Sequence, residues 1–261
     1  MLTSHQILAY FALVHKGDWQ STFESVKNKV EVEEPKVLEL LNSLSTETLS
    51  ILDEGYPEYW KFSLSQPPFA IFYKGDISLL NNENYRRVSV VGSRKCTNYG
   101  VNSVTRIISG LPKNTIIVSG LASGIDAAAH RAALNYGLKT IAILGSGIDY
   151  IYPKENEDLY NDILENGGLI LSEYPNDTEP QKTNFIFRNR LVASIGEFLL
   201  VGESYERSGT STTISYALQI GNNVGCIPYE VGKGSSCNTY IKEGAILVDS
   251  PDDIIMNLRK R

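Results

Sequence analysis

From Arg87 onward, short unbroken apolar runs alternate with amphipathic stretches. The runs "VSVV", "TIIVS", "TIAIL", "LILS" and "FLLV" are rich in Val, Ile and Leu, and most end at a glycine or serine turn. Runs of this kind predict strands covered on both faces. Between them, "NYGVNSVTRIISGL", "IDAAAHRAALNYG" and "STTISYALQIG" repeat apolar residues at helical spacing. Strands separated by single helices call for β-α-β crossovers, so the expected fold class is α/β, a Rossmann-like, doubly wound, mostly parallel sheet. The tail "SPDDIIMNLRKR" predicts a closing helix with Ser250 as N-cap and Pro251 at the first helical position.

Upstream of this pattern the chain reads differently. From Thr3 to about Asp53 the apolar positions recur at three and four, and Thr3 with Gln6 forms a capping-box pattern. The segment that follows carries prolines, aromatics and an Asn cluster, with one strand expected at "PFAIFYKG". We therefore expect a small helical module plus connecting segment over residues 1–80, and the Rossmann-like domain over residues 81–261.

Composition narrows the class without naming a function. With 42% hydrophobic and 21% charged residues, the chain is that of an ordinary globular protein. A net charge of −6 argues against a broadly basic surface, but charge summed over a chain hides local patches. Arg86, Arg87, Arg94, Lys95 and Arg106 fall in one stretch without an acid, and so do Lys182, Arg188 and Arg190. Cys96, Cys226 and Cys237 form no metal-site spacing and suit a reducing compartment, so a cytoplasmic protein is expected. No apolar run approaches the ~20 residues of a membrane span, and the N-terminus lacks the basic start of a signal peptide.

Candidate chemistry belongs in the loops after the strands. "VVGSRKCTNYG" sets Gly92, Ser93 and Arg94 after the first core strand, where an arginine can clamp phosphate or simply face solvent. "SGLASGID" brings Ser119, Gly120, Ser123 and Gly124 to a helix N-terminus, an expected anion seat for a cofactor, a substrate or a nucleic acid. "LGSGIDYIYP" has Tyr150 where a dinucleotide fingerprint wants its third glycine, and no Walker A loop is present, so no cofactor is expected. "GESYERSGTSTT" reads as a phosphate contact or as a well-capped helix.

The densest stretch is "QKTNFIFRNRLVAS". It is either a solvated helix start with its aromatics in the core, or a cationic track with aromatic stacking partners for an unpaired strand. Catalytic sets are thin. Asp126 and His130 have metal-pair spacing but read better as a cap and a packed side chain. Glu173 and Glu203 end strands and are candidate bases or ion-pair partners.

The ordered blocks "VVGSR", "SGLASGIDAAAH", "LGSGIDYIYPKEN", "SEYP…P…NF…RNRL", "SGT…T" and "CNTYIKEGA", over roughly residues 50–250, resemble the DNA-processing protein A (DprA/Smf) family. The resemblance implies a non-enzymatic, single-stranded DNA-binding recombination mediator that loads RecA recombinase onto incoming DNA in natural transformation. It also implies a homodimer and a sterile-alpha-motif-like N-terminal module. Carried onto matching positions, the phosphate pocket is Gly92, Ser93 and Arg94 with the "SGLASG" loop. Lys182 adds charge, Phe185 stacks a base, and Arg188, Asn189 and Arg190 complete the track. Ile186 stands where the family usually has proline. The competing class is a nucleotide-metabolising enzyme of the lysine-decarboxylase-like Rossmann group, a phosphoribohydrolase. Its "P-G-G-x-G-T-x-x-E" signature has only "ERSGTSTTIS" as counterpart, without the paired glycines and the glutamate.

Overall fold

The computed structural model describes residues 2–206, 208–230 and 232–259. Three helices come first: α1 (Ser4–Val14), α2 (Trp19–Lys27) and α3 (Glu34–Asn42). Thr3 and Gln6 close the capping box that the sequence predicts. Next come β1 (Glu47–Ser50), α4 (Glu58–Ser63) and β2 (Ala70–Gly75). The alternating part runs β3 (Arg86–Val91), α5 (Asn98–Ser109), β4 (Thr115–Ser119), α6 (Ile125–Asn135), β5 (Lys139–Leu144), α7 (Glu157–Glu165), β6 (Leu169–Ser172) and α8 (Lys182–Ile195). It continues through β7 (Phe198–Val201), α9 (Gly209–Gln219), β8 (Asn223–Cys226), α10 (Cys237–Lys242), β9 (Ile246–Leu247) and α11 (Pro251–Ile255).

Among the described residues the strands form one sheet in the order β1-β2-β6-β5-β4-β3-β7-β8-β9. Pairing is parallel from β6 through to β9 and antiparallel at β1–β2 and β2–β6. The α/β, mostly parallel sheet is therefore as expected. The expected division at residue 80 falls inside the sheet, because β1 and β2 lie before it and are hydrogen-bonded into that sheet. Only α1 to α3 are purely helical. No described helix is long and apolar enough to cross a membrane.

Each strand divides its side chains between two layers, as a pleated strand must. Val88 and Val90 of β3 pack with Val104, Ile108 and Ala129 of α5 and α6. Val91, Ile116, Val118 and Val201 turn the other way, onto Leu191 and Ile195 of α8 and Ile214 of α9. Ala12 and Leu13 of α1 join Phe72, Leu144 and Ile170 in a third cluster that fixes the N-terminal helices to the sheet. Gly17, with φ 76°, lets the α1–α2 turn meet the chain after β6: a Cβ there would stand 2.6 Å from the Glu173 carbonyl oxygen.

Two buried polar arrangements hold these layers. Arg190 of α8 makes a bidentate pair with Glu173, both bonds 2.5 Å, and the two side chains are 3% and 5% exposed. Its Nε also donates to the Gln66 carbonyl, and its guanidinium lies 3.7 Å from the Phe187 ring centroid. On α6, the Thr140 hydroxyl donates to the Ile117 carbonyl, so His130 Nδ1 is the donor in the 2.6 Å bond to Thr140. His130 Nε2 is buried without a hydrogen-bond partner among the described residues, and burial pushes the imidazole down from 6.5 to about 3.

Truncating Arg190 leaves the Glu173 carboxylate buried and uncompensated, so Arg190→Ala should lower unfolding free energy by about 3–5 kcal/mol in urea titration. His130 binds fewer protons folded than unfolded between its two values, so its stabilisation is present above 6.5 and is lost as pH falls towards about 3. Unfolding free energies from urea titrations between about pH 6.5 and about pH 5 should fall more steeply in the wild type than in His130→Leu, by up to about 1.4 kcal/mol per pH unit.

Candidate functional site

The chain steps outward from β3 through β4 and β5 to β6, and α8 then carries it back across the sheet to β7 on the far side of β3. The strand order reverses between β3 and β7, which is where doubly wound sheets leave a crevice at their C-terminal ends. A cavity of ≈ 890 Å³ opens there. Its walls come from Gly92, Ser93, Arg94 and Lys95 after β3, from the start of α8, and from Tyr205 and the start of α9.

Backbone bonds set these walls in place. Ser93 N donates to the Glu203 carbonyl at 2.7 Å, and the Ser93 carbonyl accepts from Ile125 N at 3.2 Å. The loop after β3 is thus pinned between the end of β7 and the first turn of α6. The fully buried Glu203 carboxylate accepts from Thr97 N, Thr97 Oγ1 and the Tyr205 hydroxyl. Asn189 Nδ2 donates to the Gly209 carbonyl and joins α8 to the start of α9.

Cations converge on this opening. Arg94, Lys95 and Lys182 line it and make no ion pair among the described residues. The Arg94 guanidinium lies 5.1 Å from the centroid of the half-buried Phe185 ring, and Tyr152 sits 5.6 Å from the same ring. Opposite, α9 begins at Gly209 behind an N-cap, Ser208, that makes no capping hydrogen bond, and Thr210, Thr212 and Thr213 continue that wall. A helix N-terminus facing unpaired cations favours anionic groups, and an adjacent ring offers a flat apolar surface.

Beneath the opening lies a buried charge arrangement. Arg188 Nη1 donates to the carbonyls of Gly120, at 2.9 Å, and Ile143. Burial pushes its guanidinium down to about 10, so it remains charged at neutral pH, and the Asp126 carboxylate partly opposes the shift. Burial pushes the Asp126 carboxyl above the usual carboxylate range, against the pull of Arg188 and of the N–H groups of Ala122 and Gly120.

Of the residues expected from the sequence, Gly92, Ser93, Arg94, Lys182, Phe185, Arg188 and Asn189 line the cavity. Five do not. Arg190, expected in the cationic track, is turned into the core by Glu173. The anion seat expected at "SGLASG" is filled by the protein itself: Asp126 takes the N–H groups of Gly120 and Ala122, and the Ser93 carbonyl takes that of Ile125. Ser119 is buried and donates to the Val90 carbonyl, and Gly120 lies under the Arg188 guanidinium. Ser123 bonds Glu155 at 2.8 Å, and Gly124, with φ 79°, gives the close approach to the Ser93 carbonyl.

Lys95, Tyr152 and Tyr205 line the cavity without having been singled out. Lys95 lay in the acid-free basic stretch, Tyr205 in the "GESYERSGTSTT" loop and Tyr152 in "LGSGIDYIYP". Neither candidate base is free, since Glu173 holds Arg190 and Glu203 holds Thr97 and Tyr205. Asp126 and His130 are likewise engaged, and no cluster of three metal-ligating side chains occurs among the described residues.

Residues 47–259 match the family model described as DNA recombination-mediator protein A. The DNA processing protein DprA of Streptococcus pneumoniae is 43% identical over 211 residues, which cover 80% of this chain and 73% of that protein. An X-ray structure of DprA from Streptococcus pneumoniae superposes over 100% of both chains with TM-score 0.82 and 33% identity. The DNA processing protein A of Helicobacter pylori, whose structure concerns its single-stranded DNA binding mode, matches with TM-score 0.72 and 28% identity over 83% of this chain and 96% of that one. With the family model matched over residues 47–259 and relatives this similar in sequence and in fold, the chain belongs to the DNA recombination-mediator protein A family.

Proposed function

We propose that the chain binds single-stranded DNA in the cavity between β3 and β7 and acts as a recombination mediator. One observation carries this reading: Arg94, Lys95 and Lys182, all without ion-pair partners among the described residues, converge beside the half-buried Phe185 ring at a single opening. Phosphates need cations, an unstacked base needs a flat partner, and a duplex offers no free base face to such a ring. The Helicobacter pylori relative binds single-stranded DNA, which supports the same ligand here.

Within this proposal Gly92, Ser93, Arg94 and Lys182 hold phosphate, with the open start of α9 as a further donor. Phe185 stacks a base and Asn189 keeps the two helices in register. Arg188 acts from below, tying the loop after β4 to the end of β5. The binder does not catalyse a reaction; its strand end carboxylates are engaged in holding the fold. Family membership supports the finer part of the proposal: the bound strand is passed to RecA recombinase during DNA processing in competent cells, the acting form is a homodimer, and the compartment is the cytoplasm, where the three free thiols stay reduced.

Fluorescence anisotropy with labelled single- and double-stranded oligonucleotides, each at several salt concentrations, tests the reading. The single strand should bind more tightly, with an affinity that falls as salt rises, because each neutralised phosphate releases counterions. Arg94→Ala and Lys182→Ala should each weaken binding and flatten the slope of log affinity against log salt by about 0.7. Phe185→Ala should cost about 1–3 kcal/mol and leave that slope unchanged. Arg94→Ala with unaltered affinity and slope would remove the cavity from consideration.

A further inference from the structure

A second cleft, of ≈ 610 Å³, lies beside the cavity, between the α1–α2 turn and the first turns of α8. Trp19, Tyr174 and Phe187 line it with aromatic surface, and Gln66, Gln181 and Asn184 line it with amides. The exposed Ile186 lines both openings, so the two adjoin at this side chain. Lys182, in the wall of the first cavity, stands between Gln181 and Thr183, both in the wall of the second.

The cleft is rigidly built. Trp19 stacks at 5.2 Å on Phe23, lies 5.1 Å from Phe69, and donates its indole N–H to the Pro67 carbonyl at 2.7 Å. Gly17 seats the α1–α2 turn against Tyr174. Among the lining groups, the Thr178 hydroxyl oxygen is inaccessible and has no hydrogen-bond partner among the described residues. At the rim, Lys16 is exposed and makes no ion pair among the described residues, while the Asp18 carboxylate is committed to Ser21 N as the cap of α2. Flat rings interspersed with amides, which both donate and accept, match a heteroaromatic base. A lone phosphate would find only the cations at the edges.

We propose that this cleft is a second nucleobase subsite: a strand gripped in the first cavity crosses Ile186 and places a following base among Trp19, Tyr174 and Phe187. The inference rests on the single-stranded DNA reading of the first cavity. It gives the N-terminal helices a direct part in binding, because α1 and α2 supply one wall of the groove.

The chain has two tryptophans, and Trp60 is fully buried in the core, so a change in tryptophan emission on binding reports Trp19. The intact protein is titrated with oligo-dT of about four and about twelve nucleotides. The longer strand should bind about five-fold or more tighter, as one further stacked base implies, and should quench Trp19, whereas the shorter one binds without quenching. Lys16→Ala should lower the salt slope for the longer strand alone. If both lengths bind equally and leave Trp19 unchanged, or if the longer binds tighter without altering Trp19, the second subsite is wrong and the first cavity stands. If neither length binds, the reading of the first cavity falls and this inference falls with it.

Discussion

Everything at the mouth of the sheet depends on where the guanidinium of Arg188 sits. It enters from α8 beneath the C-terminal ends of β4 and β5 and donates to two buried carbonyls, that of Gly120 in the loop after β4 and that of Ile143 near the end of β5. Gly120 leaves room for it, since a Cβ there would stand 2.5 Å from Arg188 Nη2. The buried charge is tolerable because Asp126 lies near enough to oppose its pKa shift, and Asp126 in turn satisfies the N–H groups of the same loop. The loop after β4 thus serves as a floor, and the residues above it, Arg94 and Phe185, gain a fixed base.

That arrangement explains which sequence signals were legible. Strand runs, helix caps at Thr3 and Ser250, and the loops after β3 and β7 follow from local chemistry, and each is found where its pattern puts it. The glycine-and-serine loop at 119–124 has the local form of an anion seat, but its occupant is a carboxylate two residues further on, Asp126. Local spacing identifies the seat without revealing which acceptor fills it. Arg190 fails for the opposite reason: its stretch contains no acid, and the partner Glu173 lies in the loop after β6, brought near only when α8 crosses the sheet. The edge strands were underestimated too. β1, "ETLS", has little apolar content to announce it and exists because β2 supplies a partner.

A chain of net charge −6 can hold a polyanion only if its acids are spent or distant. Around the cavity three acids are spent. Glu173, Glu203 and Asp126 are buried and bonded, so they contribute little repulsion at the opening, while Arg94, Lys95 and Lys182 are left without counter-charges among the described residues. Arg86 and Arg87, from the same basic stretch, share Glu197 at the other end of β3. The bias towards positive charge is therefore created by pairing as much as by composition.

One helix performs three tasks at different heights. The first turn of α8 carries Lys182 and Phe185 to the cavity, its buried face carries Arg188 and Arg190 into the layer against the sheet, and Ile186 and Phe187 turn towards the N-terminal helices. The tasks are separable by position. Loss of a side chain at 182 or 185 alters the wall of the cavity and leaves the layer intact, whereas loss at 188 or 190 leaves carbonyls or a carboxylate unsatisfied in the interior. On the proposed single-stranded DNA reading both kinds of change weaken retention, but only the second shifts the unfolding midpoint. Affinity measured without stability would therefore credit the two buried arginines with DNA contacts, and the Arg190–Glu173 geometry shows why that attribution fails for Arg190.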